Sequence, residues 1–223
     1  MARSPTPDVR SFFPRHSRAG AVGGTLDLTH IPDDQGVLPL LGRPHDTRHI
    51  VRRITVPRQS RDPSVVEDAR LNHFLTHLLP ALRAGSLPGC LIYVNDSLDF
   101  NRVAAALAKE SVDCAMLSED VSDTAAKEAK RSFAAGMVGA LLLSGRHFFY
   151  HRTPPRGTRH LIFYSLPLHA PLFATLATPH PSSTGALTVV SLVSSLDAAP
   201  LARILGRSRA RNILNGKQDI RTL

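Results

Sequence analysis

No Asp or Glu stands between Glu128 and Asp197, and over 223 residues 27 Lys and Arg outnumber 18 acids, a formal net charge of +9. Such an excess favours polyanions, because each cation set against a phosphate releases counterions. RNA or DNA, met directly or through an assembly, is the partner class this implies; the alternative is a solvated basic surface. There is no Trp and aromatics are 5% of the chain, yet a hydrophobic fraction of 43% can support a core. Cysteine is scarce as well. Cys90 and Cys114 fit no zinc spacing and are too few for a disulfide framework, so they read as reduced core thiols, which suits cytosol or nucleus. No apolar run approaches the roughly 18 residues a membrane span needs, which argues against a membrane partner. The first 26 residues lack an apolar signal core. They carry Arg3, Arg10, Arg15 and Arg18 against Asp8, but Pro5, Pro7 and Pro14 oppose the amphipathic helix of a transit peptide. A disordered basic tail is expected there.

Catalytic signatures are missing too. The run Gly216-Lys217-Gln218 lacks the upstream glycine and the hydroxyl of a phosphate loop, and neither a dinucleotide fingerprint nor a nucleophile elbow occurs. The 11 histidines are scattered. His45 and His49 sit in a proline-rich stretch with no helix to present them. His73 and His77 share a helix turn but have no third ligand nearby, so a polar helix face explains them better than a metal. No catalytic residue, cofactor or metal is assigned, and the chain reads as no enzyme.

The residues present alternate between strand and helix signals. Residues 1–63 are rich in Pro, Gly and Arg, with apolar patches at Leu26–Leu28 and Val37–Leu41 and a possible strand from Val51 to Val56. They are expected to form a loose, basic N-terminal extension or the remnant of a larger domain's end. Residues 64–84 read as a helix, with Ser64 and Glu67 as a capping box and Val66, Leu71, Phe74, Leu75, Leu78 and Leu79 on its apolar face. Strands are expected at 90–94, 114–117, 139–143, 159–164 and 187–193. Helices follow from Asp96 or Ser97 to Lys109, from Ser122 to Ala135 with Gly136 as its stop, and briefly from Pro171. Asp197 is expected to cap a closing helix with Pro200 in its first turn, and a further short helix runs from about Ser208 to Leu214. Nearly continuous apolar strands alternating with helices imply an α/β fold, a parallel sheet covered on both faces in three layers. Residues 64–223 make up this domain.

One segment stands out. Arg146-His147-Phe148-Phe149-Tyr150-His151-Arg152, followed by Arg156 and Arg159, reads as a loop after the third strand, at the carboxyl edge where open parallel sheets bind ligands. Arginines interleaved with aromatics pair with phosphates and stack on bases. The competing reading packs Phe148, Phe149 and Tyr150 into the core and leaves the arginines to solvent or an acidic partner. A second cluster closes the chain, with Arg203, Arg207, Arg209, Arg211, Lys217 and Arg221 against Asp219. Helix dipoles explain some of these cations but not all. The candidate RNA- or partner-binding set is therefore Arg146, His147, His151, Arg152, Arg156, Arg159, Arg207, Arg209 and Arg211.

The element order from Leu87 to Pro167 resembles the second, RecA-like lobe of an RNA helicase. In an active lobe the last strands and their loops carry an acid and several arginines for ATP. Here the acids are missing, and no arginine follows Arg159 until Arg203. The wording is more specific still. Leu141–Ser144, Arg146, Phe148-Phe149-Tyr150 and Arg152 resemble a family pattern "FLLYTERFHFYRR". Gly157 with Arg159–Tyr164, Leu166 and Pro167 resembles "GIRHLIFYQLP". Pro88–Val94, Leu98-Asp99-Phe100, Asp68-Ala69-Arg70 and Arg203-Ile204-Leu205-Gly206 match further parts. The pattern is that of the digestive-organ-expansion-factor family, also called the U3 small nucleolar RNA-associated protein 25 family, and the resemblance covers roughly residues 50–223.

The resemblance implies a helicase-like lobe without ATPase residues. It implies work in the small-subunit processome, in nucleolar pre-ribosomal RNA processing and 18S rRNA and 40S subunit biogenesis. The implied partners are pre-ribosomal RNA, the U3 particle and other processome proteins; the implied location is the nucleus and nucleolus. Family members also carry an acidic amino-terminal region and a first RecA-like lobe, which have no counterpart in these 223 residues. The alternatives are an RNA-dependent ATPase half-site completed by a separate lobe, and an unrelated basic RNA-binding module.

Overall fold

Runs of consecutive aliphatic residues become the middle of a seven-stranded sheet. The computed structural model describes residues 36–41, 47–56, 62–179, 185–216 and 218–223. The expected basic tail with Leu26–Leu28, and also His45 and Lys217, lie outside the described residues. The strands are β1 (Thr47–Arg53), β2 (Cys90–Val94), β3 (Cys114–Leu117), β4 (Ala140–Ser144), β5 (His160–Phe163), β6 (Leu187–Val193) and β7 (Ile220–Thr222). The helices are α1 (Pro63–His77), α2 (Leu79–Arg83), α3 (Ser97–Lys109), α4 (Asp123–Ala134), α5 (Gly145–His151), α6 (Ala170–Ala177), α7 (Ala198–Leu205) and α8 (Arg207–Asn215). The strand order is β3-β4-β2-β5-β6-β1-β7. Every pairing is parallel except that of β7 with β1.

Every residue of β2 and β4 is buried, as a parallel strand covered on both faces requires. The pleat sorts side chains between two cores. Leu91, Tyr93, Leu141, Leu143, Leu161 and Phe163 face one side, where Phe133 of α4, Phe148 of α5, Phe173 of α6, Leu201 of α7 and Ile213 of α8 meet them. Cys90, Ile92, Val94, Leu142, Ile162 and Tyr164 face the other, under Phe74 of α1, Leu82 of α2 and Phe100, Val103 and Leu107 of α3. Removing each such side chain from water contributes about 1.5–3 kcal/mol.

Several boundaries depart from the sequence reading. Asp62, not Ser64, caps α1, accepting from the Ser64 N–H at 2.9 Å, because Pro63 at the first helical position has no N–H to offer. The expected 64–84 helix is two helices broken at Leu78 (φ −111°), where Pro80 cannot donate to the turn before it. The strand expected at Val51–Val56 begins earlier, at Thr47, and pairs along its whole length with β6. The sheet thus extends into the stretch read as a loose extension. Strand β7 was not anticipated; its three residues carry no period of their own and are held by pairing with β1.

The connections position the site. Adjacent strands β2 and β4 leave the sheet on opposite faces, β2 into α3 and β4 into α5. In open parallel sheets this switch of direction opens a crevice at the carboxyl edge.

Candidate functional site

The crevice at the carboxyl ends of β2 and β4 is filled by the chain itself. A Cβ on Gly145 would sit 2.7 Å from the Tyr93 hydroxyl and 2.9 Å from the Asn95 Cα, so the α5 backbone and the residue after β2 are already in contact. The Tyr93 hydroxyl donates to Asn95 Oδ1 at 3.1 Å, and the Asn95 N–H donates to Ser165 Oγ at 2.8 Å. Burial pushes the Tyr93 phenol far up, which keeps it protonated and able to donate. Both flanks of the crevice are also paired. On the β3 side the Ser144 hydroxyl donates to Glu119 Oε2 at 2.9 Å, and His147 Nδ1 lies 3.0 Å from the Ser118 carbonyl, which fixes the proton on Nδ1. The Glu119 backbone N–H, helped by Ser144 and Arg146, holds the Glu119 carboxyl below its ordinary range.

On the β6 side, Arg70 of α1 donates to Asp197 Oδ2 at 2.5 Å and to Ser194 Oγ at 3.0 Å. Asp197 stands at the start of α7, as expected, but its carboxylate does not cap that helix. It turns back to accept from the Ser194 N–H at 2.8 Å and the Ser194 hydroxyl at 2.7 Å. The Arg70 guanidinium also lies over the Tyr164 ring, 5.9 Å from its centroid. Nearby Asp99 is buried, and desolvation raises its carboxyl despite Arg70 and Arg102. Among the described residues no three His, Cys, Asp or Glu gather as a metal site. Burial raises both thiols, Cys114 to about 12, which leaves them poor nucleophiles.

The distinctive basic segment is not a loop at its start. Residues 145–151 form helix α5, capped by the Ser144 hydroxyl accepting from the His147 N–H at 3.5 Å. A leading glycine and three adjacent aromatics hide it, since both have modest helix propensity. The helix divides the aromatics: Phe148 is buried, Phe149 is 36% exposed and Tyr150 is 69% exposed. Neither reading of the three as a group holds.

It also divides the candidate residues. Arg146 is exposed at the carboxyl edge. His147, at 4% exposure, is turned inward onto Ser118, stacks on His151 at 4.2 Å and is out of a ligand's reach. His151 is exposed on the last turn. Arg152 ends the helix in left-handed geometry (φ 49°), with its Nε donating to the Phe149 carbonyl at 3.1 Å and its guanidinium 5.5 Å from the Phe149 ring. Arg156 and Arg159, expected at the carboxyl edge, lie at the opposite one. The Arg159 and His160 N–H groups both donate to the Gly89 carbonyl, which precedes β2. The segment is the crossover from the end of β4 to the start of β5, so it must travel the depth of the sheet. Arg207, Arg209 and Arg211 are exposed on α8, whose Ala210 and Ile213 face the core.

A parallel α/β sheet with this switch point, its crevice closed by Gly145 and Asn95, defines a RecA-like lobe of the helicase C-terminal type. The RNA helicase Prp28 from Chaetomium thermophilum, solved with ADP, matches with a TM-score of 0.51 at 12% identity, over 67% of this chain and 33% of that one. The C-terminal domain of the DEAD-box protein Dbp5 matches at 0.48 and 15% identity, over 57% and 71%. The family model described as Utp25, C-terminal domain, matches residues 44–223, and the chain belongs to that family. The U3 small nucleolar RNA-associated protein 25 homolog of Rattus norvegicus is 30% identical over 77% of this chain and 22% of its own length. The U3 small nucleolar RNA-associated protein 25 of Phaeosphaeria nodorum is 27% identical over 96% and 32%. Protein NUCLEOLAR FACTOR 1 of Arabidopsis thaliana is 23% identical over 96% and 27%. The chain thus spans between about a fifth and a third of the length of these relatives.

Proposed function

We propose that this chain is a non-catalytic, helicase-like scaffold that works in a nucleolar assembly around the U3 small nucleolar RNA. Its role there is pre-ribosomal RNA processing for 18S rRNA and the small subunit. The observation that carries this reading is the Gly145–Asn95 contact. The sheet that would position a nucleotide is kept, while backbone and the Tyr93 hydroxyl occupy the place where one would enter. Glu119 accepts from the Ser144 hydroxyl, Asp197 accepts from Ser194 and Arg70, and Asp99 is buried with its carboxyl raised, so these three carboxylates are already engaged or desolvated rather than open to magnesium. Relatives named for U3 association support the choice of assembly. In this reading Arg146, His151, Arg152, Arg156, Arg159, Arg207, Arg209 and Arg211 contact RNA phosphates or acidic partner surfaces, and the chain resides in the nucleolus.

Two measurements test it. A tagged chain purified from nuclear extract should bring down U3 RNA above a control of equal charge. The homogeneous chain, with and without RNA, should show no ATP turnover above buffer. Failure to recover U3, or stimulated turnover that survives purification, overturns the reading.

A further inference from the structure

We propose that Tyr150 and His169, anchored by Phe149, form a stacking platform for single-stranded RNA beside the carboxyl edge. The proposal rests on the reading above only in placing the chain beside RNA. Tyr150 on α5 is 69% exposed and Leu168, in the turn before α6, is 56% exposed. Phe149 joins Tyr150 to His169, the residue after Leu168. Its ring centroid is 5.6 Å from Tyr150, edge to face, and 5.9 Å from the exposed His169. The Arg152 guanidinium lies against the same ring, and Arg203 Nη1 donates to the Leu168 carbonyl at 3.0 Å, which ties the α6 turn to α7.

Charge selects the occupant. Arg146 stands four residues before Tyr150, on the same helix face, so a guanidinium for a phosphate and a ring for a base are presented together. No carboxylate occurs from residue 129 to 196, the span that contributes α5 and the α6 turn. Glu119, which reaches the start of α5, is engaged by Ser144 and lies beside Arg146. Cations flanking open rings, with Glu119 as the one neighbouring acid and already engaged by Ser144, are the arrangement that tracks a single-stranded backbone while its bases stack. A duplex keeps its bases stacked internally and makes no use of the rings.

The test is fluorescence anisotropy of the full chain with a labelled single-stranded RNA of about ten nucleotides and with a hairpin duplex. Tyr150→Ala should weaken single-strand binding about tenfold with an unchanged salt slope, and Tyr150→Phe should restore it. Arg146→Ala should flatten that slope by about 0.7. Because Tyr150 is exposed, its variants should melt like the wild type, so a loss of binding is not a loss of fold. Wild-type affinity in Tyr150→Ala, or an equal loss on the duplex, overturns the platform. If U3 is recovered from extract while Tyr150→Ala binds normally, the platform falls and the scaffold reading stands. If U3 is not recovered but Tyr150→Ala loses single-strand binding selectively, the reverse holds.

Discussion

Arg70 and Asp197 meet in a buried ion pair of 2.5 Å that joins α1 to the turn after β6, 127 residues away in sequence. The pair couples the two faces of the sheet, since α1 covers one and α7, which begins directly after Asp197, covers the other. Ser194 completes it by bonding both partners. Asp68 and Arg102, themselves ion-paired, extend the network from α1 to α3.

Replacing Arg70 with Met should therefore destabilise the chain by about 3 kcal/mol, because Asp197 keeps its desolvation cost and loses its cation. Replacing Asp197 with Leu in the same chain should return part of that loss. Urea unfolding with a constant slope checks both. A single-variant loss below about 1 kcal/mol would show that the Ser194 donors alone satisfy Asp197.

Gly145→Ala should destabilise by about 1–3 kcal/mol, since the new methyl meets the Tyr93 hydroxyl and the backbone of Asn95. Tyr93→Phe removes only the first of these contacts. The double variant should stay destabilised, because the Asn95 Cα at 2.9 Å cannot swing aside as a side chain can. Full recovery of the melting temperature in the double variant would assign the strain to the hydroxyl alone.

The sheet's middle was legible because β2 and β4 are buried at every residue and β5 and β6 at most of theirs, so they are written as nearly continuous apolar runs, β6 interrupted by Thr188 and Ser191. Helices α3 and α4 announced themselves through Asp96, Ser122 and regular spacing. Elements held by partners rather than by pattern were not legible. Strand β7 is exposed at both ends and exists by pairing with β1, and the cap of α1 depends on Pro63 lacking a donor. The site suffered most from one assumption. Treating Arg146 to Arg159 as a loop placed all four arginines on one edge, whereas a helical turn and a crossover distribute them across the depth of the sheet. Which of three consecutive aromatics is buried depends on helix phase, and the phase was hidden with the helix.

Stability should fall as the pH drops below about 6.5, above the ordinary carboxylate range. Burial lowers the proton affinity of His49, His73, His147 and His160 in the folded chain. Above the unfolded value of 6.5 these rings are neutral in both states. Below it the unfolded chain binds protons that the folded one refuses, so stability drains until the lowered folded values are passed. Carboxylates held low, such as Glu119 and Asp219, give up their contribution only at more acid pH, while raised Asp99 works in the opposite sense. Denaturant midpoints between pH 7.5 and 5 read this window. His147→Gln should make the slope shallower; a flat profile in the wild type would contradict the assignment.

The arginines of the basic segment should separate into two functional groups in salt titrations. Arg146 stands at the carboxyl edge beside Tyr150, whereas Arg156 and Arg159 stand at the amino edge beside Gly89. The five residues of β4 put about 16 Å between those edges along the strand direction. An RNA of about ten nucleotides seated on the Tyr150 ring is held by few phosphates and should not depend on both groups. Arg146→Ala should reduce its salt slope, while Arg156→Ala and Arg159→Ala together should leave affinity and slope at wild-type values. A structured RNA long enough to wrap the lobe should respond to both sets, each lost phosphate contact flattening the slope by about 0.7–0.9. If the amino-edge pair instead docks an acidic protein surface, its removal should spare both RNAs and abolish recovery with the U3 particle. Equal sensitivity of the short RNA to both groups would mean that the strand runs across the face of α5 rather than along the carboxyl edge.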